Sequence, residues 1–301
     1  MGYDALVWKG LVIIKGYYYL QGDFYSAYEI SLQSEKLGRT IADSENVIRA
    51  IALTARCLAM IERNIEKAEQ LAYEASTLES TLNPENKVNE INMAFGLIHH
   101  YKGNLDESYQ RLKTALENAR KEGGKWWECY CHLRLVMIEL ERGRPEEALQ
   151  QCRLIKPSAM RIKDGSEGPF TEALEAVASI QTKGDEWIPA LDDAIEKLRK
   201  ADSQWMVSYI QSFGADILLD KGSPEEARRR IEDAIAAAEA INDNSAIVIA
   251  YAILARIAHK QKKNKESRRY LQHIKSLNKG EYSISARARR EIQKTEKIIP
   301  N

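Results

Sequence analysis

The chain repeats itself, and that constrains its fold before anything else does. GRPEEALQQC begins at Gly143 and GSPEEARRRI at Gly222. With Ala148 and Ala227 as markers, five more segments share one layout: a short Gly or Asn turn, a small residue five or six positions on, then an apolar-periodic run. They mark Ala27, Ala68, Ser108, Ala190 and Ser267, at successive intervals of 41, 40, 40, 42, 37 and 40 residues. Seven units at a near-constant period predict stacked supersecondary units, each burying its apolar face against the next.

Each unit reads as two helices. Apolar residues recur at spacings of three and four before each turn, as in NEINMAFGLIHHYK and VSYIQSFGADILLDK, and again after it, as in PEEARRRIEDAIAAAEAI. In GSPEEA, Gly222 suits the left-handed residue that ends a helix. Ser223 is the expected N-cap, Pro224 fits the first helical position, and Glu226 completes a capping box. In GRPEEA the cap position holds Arg144, so that copy lacks a capping side chain. Asp23, Asn64 and Asn104 are the expected caps of their own units. The small marker lies one turn into the second helix, where a larger side chain would push the two helices apart.

This pattern resembles the tetratricopeptide repeat (TPR), with Gly96, Gly103, Leu105, Ser108 and Ala115 in the third unit. Tyr18, Gly22, Phe24 and Ala27 carry it in the first, and Gly222, Ala227 and Ala234 in the sixth. The resemblance runs from about Asp4 to Leu277. It implies an all-α, right-handed α-solenoid of about seven antiparallel helix pairs plus a C-terminal capping helix. The repeats fall near 4–43, 44–82, 86–122, 125–164, 168–200, 203–242 and 244–278, with the cap at 281–299, in one domain spanning 1–301. The period departs from the usual ~34 residues, and HEAT and armadillo units at about 40–47 are the alternatives. The glycine turn and small-residue register favour TPR. A 40-residue TPR period is similar to the sensor region of MalT-type, STAND-family regulators. The chain itself has no GxxxxGK[ST] phosphate loop and no recognisable helix-turn-helix reader.

Composition narrows the function. Lys plus Arg and Asp plus Glu balance at 44 each, which argues against nucleic acid as the general partner. The stretch from Arg256 to Lys297 holds fourteen Lys or Arg against four Glu, and a solvated cap of basic helices is the expected reading. No uncharged apolar run approaches the ~18 residues of a membrane span. An early Asp4 argues against a signal peptide, and four scattered cysteines fit free thiols in the cytoplasm. HExxH, GxSxG, GxGxxG and EF-hand patterns are absent, so no catalytic residue, cofactor or metal is expected. Cys129, Cys131 and His132 lack the spacing of a zinc site.

Function should therefore lie on the faces of the first helices, which line the concave side of a solenoid. The TPR register places Tyr19, Met60, Met93, Leu97, His100, Tyr101, Tyr130, Met137, Glu141, Tyr209 and Asp216 there, along with Lys9, Val12, Leu53, Arg256 and His259. About half of these are expected to pack as core instead. Repeats that clamp acidic chaperone termini use Lys and Asn at positions held here by Val12, Gly16, Leu53 and Cys57, so no such clamp is expected. Of Trp126 and Trp127, one should fill the core between repeats, and an exposed partner would mark a contact. The expected activity is non-catalytic binding of a peptide, protein segment or small-molecule inducer, as in the sensor arm of a regulator. The alternative is a scaffold acting through its convex face or by homo-oligomer formation.

Overall fold

The computed structural model describes residues 3–21, 23–41, 44–62, 64–82, 88–162, 165–277 and 284–299. The turn glycine expected at Gly22 and the boundaries expected at residues 43, 86, 164, 278 and 281 lie outside the described residues. Within them the fold is all-α, with fifteen α-helices, a single 3-10 turn at Asp185–Trp187 and no strand. Fourteen helices follow one another as pairs. These are α1 (Tyr3–Gln21) and α2 (Phe24–Thr40), α3 (Ser44–Met60) and α4 (Ile65–Glu79), α5 (Asn89–Lys102) and α6 (Leu105–Lys121), and α7 (Lys125–Glu141) and α8 (Pro145–Ala159). After them come α9 (Glu167–Thr182) and α10 (Ile188–Lys200), α11 (Gln204–Asp220) and α12 (Pro224–Ala240), and α13 (Asn244–Lys260) and α14 (Asn264–Leu277). A last helix, α15 (Ala286–Ile298), packs on α13.

The small markers set how closely the pairs approach. Ala27, Ala68, Ala148 and Ala227 are wholly buried. Where the marker is serine, its hydroxyl must find an acceptor. Ser108 Oγ donates to the carbonyl of Gly96 at 2.7 Å, and Ser267 Oγ to the carbonyl of Ala255 at 3.0 Å, each twelve residues back on the first helix. Gly96 completes the close approach, since a Cβ there would stand 2.7 Å from Leu112 Cγ.

The turns repeat down to single bonds. The N–H groups of Asn104, Arg144, Ser223 and Lys263 donate to the carbonyls of His99, Glu139, Leu218 and Ala258, each at 2.9 Å. This six-to-one bond requires a left-handed residue just before the donor. Gly103, Gly143 and Gly222 supply it with φ of 85°, 69° and 87°, and Lys262 adopts it with φ of 61°.

Two local expectations fail. In the fifth repeat Ala190 is exposed, and its neighbour Leu191 takes the buried position. The 3-10 turn that precedes α10 winds more tightly than an α-turn, which rotates the following residues out of the expected phase. The capping box at Ser223 does not form, because Ser223 makes no side-chain cap bond. Glu226 instead turns to Arg229 at 2.6 Å and Arg230 at 3.0 Å, charge-assisted contacts stronger than one to a neutral N–H. Asn104 also caps without its side chain, whereas Asp23 and Asn64 accept from the N–H groups of Ser26 and Lys67 at 3.0 and 3.2 Å.

The chain divides into two compact units, Met1–Cys131 and His132–Asn301, with the division inside α7. Nothing in the period announces it. The first unit centres on Ile48, Ile51, Ile91, Phe95 and Ile98, and the second on Leu218, Ile231, Ile253 and Ile257. No described helix is long and apolar enough to cross a membrane.

Gly96→Ala tests the close approach. The added methyl meets the branch point of a buried leucine, so overpacking at about 1–3 kcal/mol should outweigh the ~1 kcal/mol of helix propensity that alanine restores. Chemical denaturation should give a lower midpoint for this variant, while Gly10→Ala, which meets nothing within 4 Å, should leave the midpoint unchanged or raise it.

Candidate functional site

The structure sorts the expected surface residues into two groups. Tyr19, Met93, Leu97, Tyr101, Tyr130 and Met137 are buried, and Met60, His100, Glu141, Tyr209 and Asp216 are partly buried. Leu97 and Tyr101 belong to the core of the first unit, and Met60 packs against it. Leu53 and Arg256 are buried, Val12 and His259 are partly buried, and Lys9 is exposed. Trp126 and Trp127 are both half-buried, neither sealed in the core nor free of it.

In the first unit two of the expected residues meet. The hydroxyls of Tyr19 on α1 and Tyr130 on α7 hydrogen-bond, with ring centroids 5.9 Å apart. Trp126 stacks on Tyr130 at 5.5 Å, and Phe24 lies edge-on to Tyr19 at 5.2 Å. These rings enclose Arg56, a residue the sequence reading passed over. Its guanidinium carbon lies 4.2 Å from the Tyr19 ring centre, 5.0 Å from that of Trp127 and 5.9 Å from that of Tyr130. Arg56 is buried, yet it makes no ion pair among the described residues, and its Nε and Nη1 have no acceptor. Two further polar groups at the start of α5 share that condition. Both amide atoms of Asn89 and Oε2 of Glu90 are buried without partners, although Oε1 of Glu90 pairs with Arg49.

Lys15 on α1 adds a second buried cation. Burial, and next the charge of Arg56, pull its pKa down from the ordinary 10.5 to about 7. Cys57 and Glu90 act in the opposite sense, and Arg49 adds to the depression. A lysine and an arginine sharing a dry site without a full counter-charge are costly. The arrangement is electropositive and aromatic.

In the second unit the expected residues are already engaged by α15. Arg290 pairs with Glu141 at 3.0 Å, and Lys294 pairs with Asp216 at 3.0 Å. The Arg287 guanidinium lies 4.7 Å from the Tyr209 ring centre and 4.3 Å from that of Phe213. Asp216 also pairs with Arg256 at 2.7 Å, and Arg256 reaches Glu291. Burial works against the charge of Asp216, but Arg256 and Lys294 outweigh it and hold the carboxyl below the usual range. The basic C-terminal stretch is therefore only partly the solvated cap the sequence suggested, since several of its charges are spent inside the unit.

Among the described residues no three His, Cys, Asp or Glu side chains group to hold a metal ion. All four cysteines are buried and none forms a disulfide, and burial pushes the thiols of Cys131 and Cys152 up to about 12, far from a reactive thiolate at neutral pH. His99 is partly buried against Phe95, which holds its imidazole below the ordinary value.

The depressed lysine gives a signed pH effect. Between about 7 and 10.5 the unfolded chain holds a proton on Lys15 that the folded one has released, so stability rises with pH across that window. Below it both states are charged and the burial penalty is complete. Lys15→Met should thus raise the melting temperature most at about pH 6, and the gain should fade as pH passes through the window. A gain independent of pH would mean that Lys15 is not depressed.

No family profile matches this sequence, and no curated protein matches it. Among solved structures, NprR in complex with its cognate peptide NprX aligns with a TM-score of 0.63 at 16% identity, over 95% of this chain and 81% of that one. The apo form of the quorum sensor NprR from B. thuringiensis aligns with a TM-score of 0.60 at 14% identity, over 95% of this chain and 79% of that one. At these identities the likeness is one of fold: this chain has an all-α, TPR-like helical-repeat architecture.

Proposed function

We propose that this protein is a non-catalytic peptide-binding module that holds its ligand on the first helices of the first unit. One observation carries the reading. The Asn89 amide, Glu90 Oε2 and Nε and Nη1 of Arg56 are buried there without hydrogen-bond partners, although native proteins pair more than about nine in ten such groups. An amide that offers one donor and one acceptor matches a peptide unit, and the Tyr19–Trp126–Tyr130 cluster around Arg56 offers apolar contact in the same unit. The fold shared with NprR, which was solved with a cognate peptide, agrees with this reading. The 40-residue TPR-like period and the buried thiols suit a cytoplasmic sensor arm of a larger regulator, of the kind found in MalT-type proteins.

Affinity selection tests the proposal. The full chain is mixed with a pooled random heptapeptide library, and retained peptides are read by mass spectrometry. Wild type should retain a defined subset. Asn89→Ala, which removes a buried unpaired amide and so should not unfold the protein, should weaken retention about tenfold. If wild type retains nothing above a scrambled-surface control, the peptide reading is wrong.

A second reading rests on α1. Tyr3, Leu6, Ile13 and Tyr17 are 81%, 57%, 72% and 61% exposed, an apolar stripe at helical spacing. The stripe suits a second copy of this chain. Light scattering across a concentration series should then show self-association that Ile13→Lys abolishes; a monomer throughout would remove this reading and leave the first intact.

A further inference from the structure

Four arginines are buried among the described residues, Arg56, Arg134, Arg230 and Arg256, and Arg56 differs from the last two in one respect. Arg230, with no exposed surface, pairs with Asp192 at 2.7 Å and Glu226 at 3.0 Å. Arg256, 3% exposed, pairs with Asp216 at 2.7 Å and with Glu291. Arg56, 2% exposed, has aromatic rings around it and no ion-pair partner among the described residues. An arginine cannot shed its proton to escape burial, so it must be neutralised by an anion or bear the full desolvation cost.

The repeat makes the comparison between Arg56 and Arg256 direct. Each is the thirteenth residue of its helix, α3 or α13, and each stands six residues before a left-handed residue, Glu62 at φ 55° and Lys262 at φ 61°. They occupy one register position, five repeats apart. Forty residues upstream of Arg256 stands Asp216, its ion-pair partner. Forty residues upstream of Arg56 stands Gly16. A Cβ built on Gly16 would meet no heavy atom within 4 Å, so the place from which the acid acts in the later repeat has room in the earlier one. Glu291, the second acid on Arg256, comes from α15, a helix that is not itself part of a repeat pair.

We infer that Arg56, with Lys15 beside it, forms a seat for a carboxylate of the bound peptide, entering over Gly16 and doing for Arg56 what Asp216 and Glu291 do for Arg256. This deepens the peptide-binding reading and rests on it. The Arg56 guanidinium carbon lies 4.2 and 5.0 Å from the Tyr19 and Trp127 ring centres, and its Nε and Nη1 are left as donors for charge-assisted hydrogen bonds to an incoming acid. The Tyr19–Tyr130 hydroxyl pair borders the seat, and either phenol can donate to a carboxylate that displaces the other. The depressed Lys15 agrees: an anion beside it would draw its proton affinity back up, so binding near neutral pH should take up a proton.

The repeat also supplies the test. Sodium glutarate at matched ionic strength serves as the probe on the full chain, with melting temperature as the readout. Glutarate should raise the melting temperature of wild type. It should not raise that of Arg56→Met, which should itself melt higher than wild type without probe because an unpaired buried charge is gone. Gly16→Asp installs the acid of the later repeat; it should melt higher than wild type, lose its response to glutarate, and bring no gain when combined with Arg56→Met. In the heptapeptide selection, wild type should favour sequences with an Asp, a Glu or a free C-terminus over their amides by about ten- to a hundredfold, and Arg56→Met should lose that preference. An equal glutarate response in Arg56→Met or Gly16→Asp overturns the seat, as does stronger protection by inorganic phosphate than by glutarate. Peptides retained with no carboxylate preference overturn the seat and leave the peptide reading standing. Glutarate protection through Arg56 with no peptide retained does the reverse.

Discussion

The close approach of the two helices within each repeat is the constraint on which the rest depends. In six of the seven repeats it is fixed by a residue no larger than alanine or serine one turn into the second helix, wholly buried in Ala27, Ala68, Ser108, Ala148, Ala227 and Ser267. Serine is admitted only because the first helix lies close enough for its hydroxyl to reach a carbonyl twelve residues back. That distance sets the tilt of each pair, and the shared six-to-one turn bond fixes how the chain passes from one helix to the other. With both fixed, the first helix of each repeat presents the same positions in the same order. A site built on those positions inherits its geometry from backbone packing rather than from a loop.

How much of this could be read in advance follows from which interactions are local. The period, the helix pairs and the glycine turns were legible because each is written within about twelve residues. The shift from Ala190 to Leu191 was not, since it depends on three residues choosing a 3-10 turn over an α-turn. The capping box at Ser223 was misread for a related reason. Glu226 had a second option in Arg229 and Arg230, and a motif of four residues does not show competing partners further along.

The site was less legible than the fold. The aromatic and charged positions named from the TPR register include Tyr19, Tyr130, Glu141, Tyr209 and Asp216, and the structure gathers them in two places. What register alone could not supply was the sign of the unbalanced charge. Arg56 sits one residue before Cys57, a position compared with the chaperone-clamping pattern and set aside for lacking Lys or Asn. Its significance comes from what surrounds it: two aromatic rings within 5.0 Å, the charge of a buried lysine, and no ion-pair partner among the described residues. A signal for it was nevertheless present. Arg56 and Arg256 are separated by five whole periods, and the residues forty upstream of them are glycine and aspartate.

That last point bears on how repeat proteins divide stability from binding. When one structural position recurs, most copies can be satisfied from within, by the neighbouring repeat or by a terminal helix such as α15. A copy left unsatisfied then stands out against its own chain, with no need of a relative for comparison. The cost of a buried unpaired guanidinium is tolerable in a stack of repeats, because repeat stability is close to a sum of neighbouring terms and a deficit in one is not passed to all. The same additivity means that satisfying the deficit stabilises chiefly α1, α3 and α5. Occupation of such a seat would order those three helices together, and it is through such local order that a ligand shifts a population of states.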